Sequence, residues 1–317
     1  MSYQPPFHIS ADAVNMIAEI AALVERCTIR PGSAEALKLR RANQVRTIQA
    51  SLAIEGNTLS EEQVSEILDG KRVAAPLRQI QEVKNAIAVY DVAEELDPYS
   101  VDDLLRAHGM MMAALMEHPG EFRRGGVGVV KKSEVIHLAP PAHLVPQHVK
   151  ELFAWLKTST DHPLIRSCVF HYEFEFIHPF PDGNGRIGRL WQSLILANWN
   201  PVFLRLPVET MVYSNQDKYY QAINKSTEAN DSGIFIDFML REILNALHKH
   251  VTAQKNADEP AEAIFRYIKD NPGVRAGMLA ENLSISRRTA ERYLQTLKQA
   301  GKIEFRGAPR NGGYYPK

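Results

Sequence analysis

The chain has 317 residues, 45% of them hydrophobic and 23% charged, with 37 basic residues against 37 acidic ones. That composition suits one large soluble domain, alone or with a small companion, and argues against a disordered chain. Zero net charge singles out no partner, and two cysteines, Cys27 and Cys168, make neither a disulfide framework nor a cysteine metal site.

The first ten residues lack a signal-peptide pattern, and no run reaches the roughly 18 apolar residues of a membrane span, so a cytoplasmic protein with no membrane partner is expected. Helical periodicity then dominates. Ile9 to Cys27 places Val14, Ile17, Ile20 and Val24 at helical spacing; after Pro31-Gly32 a long helix runs from about Ser33 to Ile54 and stops at Gly56-Asn57. Ser60-Glu61-Glu62-Gln63 reads as a capping box opening a short helix to Leu68. Further helices are expected over Leu77–Glu95, Ser100–Glu117 and Pro146–Leu156. Between them, Glu121 to Leu138 reads as a β-hairpin turning at residues 131–134. Residues 165–177 fit a strand through alternating aromatics and a helix through Ile165, Val169, Tyr172 and Phe176, and periodicity does not choose between them. Helices are expected again up to about Asn198, over Ser214–Glu228 and over Ile234–His250. The polar stretch 251–260, ending in Pro260, reads as a linker. The last 57 residues then follow the order of a winged helix-turn-helix: three helices (Ala261–Asp270, Arg275–Leu283, Ser286–Ala300) and two short strands around residues 307–313.

The chemistry is concentrated in His178-Pro-Phe-Pro-Asp-Gly-Asn-Gly-Arg-Ile-Gly-Arg189. Gly183 and Gly185 let the backbone curl so that successive N–H groups face one anion, and the helix that follows adds partial positive charge at its start. Arg186 and Arg189, three apart, reach the same side. Asp182 at the mouth of such a nest would repel phosphate unless a divalent cation lay between them. His178 titrates near neutrality and can take a hydroxyl proton. Together these make a phosphoryl- or nucleotidyl-transfer site.

This stretch resembles the signature of the Fic family, His-Pro-Phe-x-(Asp/Glu)-Gly-Asn-Gly-Arg-x-x-Arg, at every fixed position. Gly120-Glu-Phe-Arg123, the hairpin and Ala139-Pro-Pro141 are similar to the family's flap region, and the resemblance runs through about residues 35–245. It implies a mainly α fold: a helical core with a β-hairpin flap, here followed by the winged helix-turn-helix. The domains expected are 1–99 (N-terminal helices), 100–250 (catalytic core), 251–260 (linker) and 261–317. The resemblance makes residues 165–177 helical and implies transfer of AMP from ATP to a Ser, Thr or Tyr hydroxyl of a target protein, with self-modification. It assigns His178 as general base, Asp182 as the Mg²⁺ ligand, Gly183, Gly185 and the Asn184 side chain to the α- and β-phosphates, Arg186 to the β-phosphate and Arg189 to the γ-phosphate. Phe180 would hold the loop by packing into the core. The flap, Val127, Gly128, Val129 and Val130, would dock the target as an added strand. A homodimer is also implied.

Ser51-Leu-Ala-Ile-Glu-Gly-Asn57 resembles the family's inhibitory motif, (Ser/Thr)-x-x-x-Glu-(Gly/Asn). Ser51 and Glu55 share a helix face, and a carboxylate in a helix's last turn opposes the dipole and gains from a cation. The resemblance pairs Glu55 with Arg189 and so withdraws Arg189 from the γ-phosphate. The resemblance also implies an alternative role for Glu55, since in some members of the family the same glutamate supports removal of AMP from the modified protein. From Asp258 onward, 11 basic residues against 7 acidic ones leave +4. Arg287 and Arg288 open the third helix of this module and Arg306 and Arg310 flank its wing, which makes DNA a candidate partner and a nucleotide-sensing DNA-binding regulator the third functional class.

Overall fold

The computed structural model describes residues 3–27, 34–126, 128–131, 134–283, 285–308 and 312–317, with side chains described for all of these except 34–39, 128–131, 134–138 and 253–260. Two compact units result: residues 1–27 with 39–247, and residues 28–38 with 248–317.

The first unit is helical. α1 (Ala11–Arg26) starts at Ser10, whose hydroxyl accepts from the Ala13 N–H at 2.9 Å. Its buried stripe is Ala13, Met16, Ile20, Leu23 and Val24, so the expected stripe is rotated: Val14 is 58% exposed. α2 (Ala34–Ile54) ends before Gly56, which takes a φ of 92° with nothing near its α-carbon's free side. α3 (Glu61–Leu68) has both bonds of the Ser60/Gln63 capping box. α4 (Leu77–Asp91) and α5 (Val101–Met111) follow, α5 stopping six residues short of the expected Glu117. β1 (Gly128–Lys131) pairs antiparallel with β2 (Glu134–Leu138), Gly128 opposite Leu138 and Val129 opposite His137, with a bulge before Val130. Val127, Lys132 and Ser133 lie outside the described residues.

α6 (Val145–Thr158), α7 (Pro163–Ile177) and α8 (Asn184–Trp199) build the core with α5. Residues 165–177 are therefore helix. α7 is buried nearly all round, from Leu164 to Phe174, and a helix without a polar face carries no 3.6-residue signature. Phe170, Phe174, Phe180 and Trp191 are among the largest fully buried side chains. α9 (Val208–Ser214) has no counterpart among the expected helices, and α10 (Gln216–Ala229) completes the surround.

The expected helices at 234–250 and 261–270 are one, α11 (Gly233–Asp270), which passes through the stretch read as a linker. Pro260 takes one donor from that ladder and crowds the carbonyl four residues back, yet the helix continues through it. The division between the units falls within α11, at 247/248. The second unit adds α12 (Ala276–Asn282), α13 (Arg287–Gln299) and the antiparallel pair β3 (Ile303–Arg306) and β4 (Gly313–Pro316) around its own core, in which Ile264, Ile268, Leu279, Ala290, Leu294 and Ile303 are buried. Ser286 caps α13, accepting from the Thr289 N–H at 3.1 Å. Arg287 is exposed but bonded to Glu291 at 2.9 Å, Arg288 is exposed, Arg306 is paired with Glu304, and Arg310 lies outside the described residues.

Candidate active site

The site is the turn between α7 and α8. α7 ends at His178, which takes the left-handed conformation (φ 49°, ψ 62°) while its N–H still donates to the Phe174 carbonyl at 2.9 Å. That conformation is uncommon for a residue with a β-carbon and reverses the chain sharply. Phe180 then drops into the core, fully buried. Asn184 closes the loop on itself: its Oδ1 accepts from the Phe180 N–H at 2.9 Å and its Nδ2 donates to the Phe180 carbonyl at 2.8 Å. The role expected for the Asn184 side chain, at the phosphates, is thus not the one its geometry gives. The side chain is 2% exposed and both its polar atoms are spent on the backbone.

Gly183 precedes α8 with φ 86°, and a β-carbon there would strike the Met112 sulfur at 2.8 Å. Asp182 accepts from the Gly183 N–H at 2.6 Å and from Arg186 at 2.9 Å through Oδ1, while Oδ2 faces Arg78 at 3.4 Å. Arg186 is 3% exposed, and its Nε has no hydrogen-bond partner among the described residues. A buried donor left unmade is costly, so this guanidinium points to an anion that completes it. The first N–H groups of α8 lack intrahelical acceptors, as at the start of any α-helix, and can face the same anion.

Arg189, one turn on, is also 3% exposed. Two of its three nitrogens are held by α2: Nε donates to the Ser51 hydroxyl at 3.2 Å, Nη2 to the Ser51 carbonyl at 2.9 Å and to the Glu55 carboxylate at 2.7 Å. Burial works against its charge, but Glu55 beside it holds the pKa above the ordinary arginine value. Gln216 fixes the end of α2 by donating to the Ile54 carbonyl at 2.8 Å. The Glu55 carboxylate also covers the first turn of α8: a β-carbon at Gly185 would collide with its Oε1. One carboxylate therefore sits on the helix start and on the arginine together, where an anion is stabilised.

Several side chains that build the site escaped the sequence reading. His108 of α5 is fully buried, stacks on Phe180 (centroids 3.6 Å apart, planes at 5°) and joins the loop to the segment before the hairpin. Its Nδ1 accepts from the Gly120 N–H at 2.8 Å, so Nε2 carries the proton and donates to the Asp182 carbonyl at 3.0 Å. Burial pushes its pKa down to about 4, keeping the ring neutral. Beneath Arg189, burial pushes Glu175 and Glu209 up to about 7, and the Glu175 Oε1 has no hydrogen-bond partner among the described residues. None of these has a local motif; each is a polar residue on an otherwise apolar helix face. The hairpin residues Gly128, Val129 and Val130 lie in β1, and Val127 is outside the described residues. Among the described residues no helix is long and apolar enough to cross a membrane.

The Fic/DOC family matches residues 98–196, and an HTH domain matches residues 261–315. The chain is 30% identical over 225 residues to protein adenylyltransferase fic-1 of Caenorhabditis elegans, covering 66% of this chain and 41% of that protein. It is 27% identical over 207 residues to protein adenylyltransferase Fic of Nematostella vectensis, covering 61% and 45%. The chain thus spans less than half the length of these curated relatives. A solved fragment of C. elegans Fic-1 shares the fold (TM-score 0.64, 23% identity, 78% of this chain and 74% of that one). A Fic family protein from Desulfovibrio desulfuricans G20 superposes with a TM-score of 0.76 at 40% identity, covering 99% of this chain and 98% of that one. With that likeness over nearly its whole length, and with the signature loop folded onto the start of α8, the chain belongs to the Fic family.

Proposed function

We propose that the protein transfers AMP from ATP to a hydroxyl side chain of a protein, and that Glu55 holds this activity down. The observation that carries the reading is the pair of buried arginines on one turn of α8: Arg186, whose Nε has no hydrogen-bond partner among the described residues, and Arg189, held through Nε and Nη2 by Ser51 and Glu55. A polyphosphate satisfies the first and competes with Glu55 for the second.

In this reading His178 takes the proton of the acceptor hydroxyl, whose oxygen bonds to the α-phosphorus as the bond to the bridging oxygen breaks and pyrophosphate leaves. The α8 N–H groups and Arg186 meet the charge that gathers on the phosphates. Asp182 fits a Mg²⁺-nucleotide site: it offers one half-exposed carboxylate at the loop's mouth, and no group of three or more metal-ligating side chains accompanies it among the described residues. Mg²⁺ is commonly held in this way, by one or two carboxylates together with substrate phosphates. Asp182 would hold the ion, which when bound neutralises phosphate charge. The hairpin would receive the target backbone as an added strand. Self-modification, a homodimer, a cytoplasmic setting and DNA contact through the helix-turn-helix belong to the same proposal.

The test is labelled ATP with a lysate or purified target. Wild type and Glu55→Gly should label protein, and His178→Ala should not, while His178→Ala keeps its affinity for ATP. Labelling by His178→Ala at the parent rate would overturn the reading. Release of AMP from pre-modified target by wild type, but not by Glu55→Gly, would assign AMP removal to the site instead.

A further inference from the structure

Arg123 is a buried cation, 3% exposed, whose partners are all main-chain carbonyls. A guanidinium taken out of water normally sits against a carboxylate. Here Nε donates to the His178 carbonyl at 2.8 Å, Nη2 to the Ile177 carbonyl at 3.3 Å and to the Pro140 carbonyl, and Nη1 to the Gly125 carbonyl at 3.0 Å. Its own N–H donates to the Pro179 carbonyl at 2.9 Å. These acceptors come from two places. Ile177 and His178 are the end of α7, whose last carbonyls have no helical donors and carry the negative end of the dipole. Gly125 and Pro140 are the two roots of the hairpin, just before β1 and just after β2.

We infer that Arg123 is the positioning residue for His178: it holds the base in its left-handed conformation and ties the direction of its imidazole to the roots of the hairpin. The inference rests on the reading of His178 as the base and of the hairpin as the place where the target docks. A left-handed residue with a β-carbon persists only where its surroundings fix it, and Arg123 binds the carbonyl of that residue and those on either side of it. The planar guanidinium suits the task because its donors point in several directions at once; a lysine offers its three from a single atom. The other end of the same turn is fixed as well, through the Gly120 N–H on His108 and His108 on the Asp182 carbonyl. A strand added to the hairpin would therefore load the same guanidinium that aims the base.

The experiment uses the full chain with Glu55→Gly as parent and compares Arg123→Ala and Arg123→Lys. Expected for Arg123→Ala is a fall in the kcat of transfer of about 30-fold or more, as a misplaced reacting group causes. Its Kd for ATP should stay within about threefold of the parent, because the phosphate contacts lie on α8. Methylguanidinium at millimolar concentration should restore part of the lost kcat, and Arg123→Lys should remain impaired. Parental kcat in Arg123→Ala, loss of ATP affinity in step with kcat, or failure of the added cation to restore activity would each overturn the inference. Should Arg123→Ala not fold, Arg123→Gln, which keeps one donor, is put through the same measurements. If the parent itself transfers nothing, the proposed function fails, and the inference is read instead from the ¹⁵N signals of the His178 imidazole. A change in those signals in Arg123→Ala that methylguanidinium reverses supports it, and unmoved signals overturn it.

Discussion

Glu55 and Arg189 stand 134 positions apart in the chain and 2.7 Å apart in the fold, and the same Arg189 is held a second and third time by Ser51. The donors of Nε and Nη2 committed to this set are withheld from a phosphate, which under the proposed function is the brake. Glu55→Gly frees it at little backbone cost, since α2 ends at Gly56 and glycine in a final turn loses little. The variant should transfer AMP at least about tenfold faster than wild type, which needs only about 1.4 kcal/mol in favour of the productive state. Adding Arg189→Ala should cancel the gain. Rates measured with labelled ATP decide this, and a Glu55→Gly protein that folds and works no faster than wild type would remove the brake from the proposal.

Asp182→Ala should weaken ATP binding in the presence of Mg²⁺ while leaving binding in EDTA nearly unchanged, because only the carboxylate–metal link is lost. Calorimetric titration with and without the ion gives both numbers. Equal affinities for wild type and variant in Mg²⁺ would show that Asp182 holds no metal.

Burial pushes Glu175 up to about 7. A carboxyl whose folded pKa exceeds its unfolded value stabilises the fold below about pH 4.5, and that contribution is lost as pH rises through 7. Glu175→Gln, which stays neutral, should therefore gain stability over wild type between pH 5 and pH 8. The gain should reach about 3 kcal/mol, since each tenfold difference in proton affinity between the folded and unfolded chain is worth roughly 1.4 kcal/mol. Urea denaturation across that range measures it. A difference between the two proteins that does not change with pH would mean that the carboxyl is ionised throughout.

The helix-turn-helix unit offers Arg287 and Arg288 at the start of α13, Arg287 already bonded to Glu291. If this face meets DNA, affinity should fall steeply with salt, and Arg287→Ala with Arg288→Ala should flatten that slope by roughly two phosphate contacts. Fluorescence anisotropy with duplex DNA at several salt concentrations tests this. No binding at low salt would assign the unit to protein contacts.

Much of the site is legible in the sequence because its parts are local. The glycines, the acid and the arginines between His178 and Arg189 lie on one turn and the helix it opens, so their types and spacing already describe an anion site. The Ser60 capping box and the stop at Gly56 are local for the same reason. Sequence order alone could not pair Glu55 with Arg189, since only the packing of α2 against α8 sets that distance, and the family resemblance supplied the pairing in its place. Nor did it show that the Asn184 side chain would be spent on Phe180, or that His108 and Arg123 would fix the two ends of the loop, because a lone buried histidine or arginine reads as any other polar residue. α7 hid its helix by being buried on nearly every side, and α11 runs through Pro260, where the missing donor and the crowded ring make a break the ordinary expectation. The chain's local chemistry determined which groups could meet an anion; tertiary packing decided which of them are free to do so.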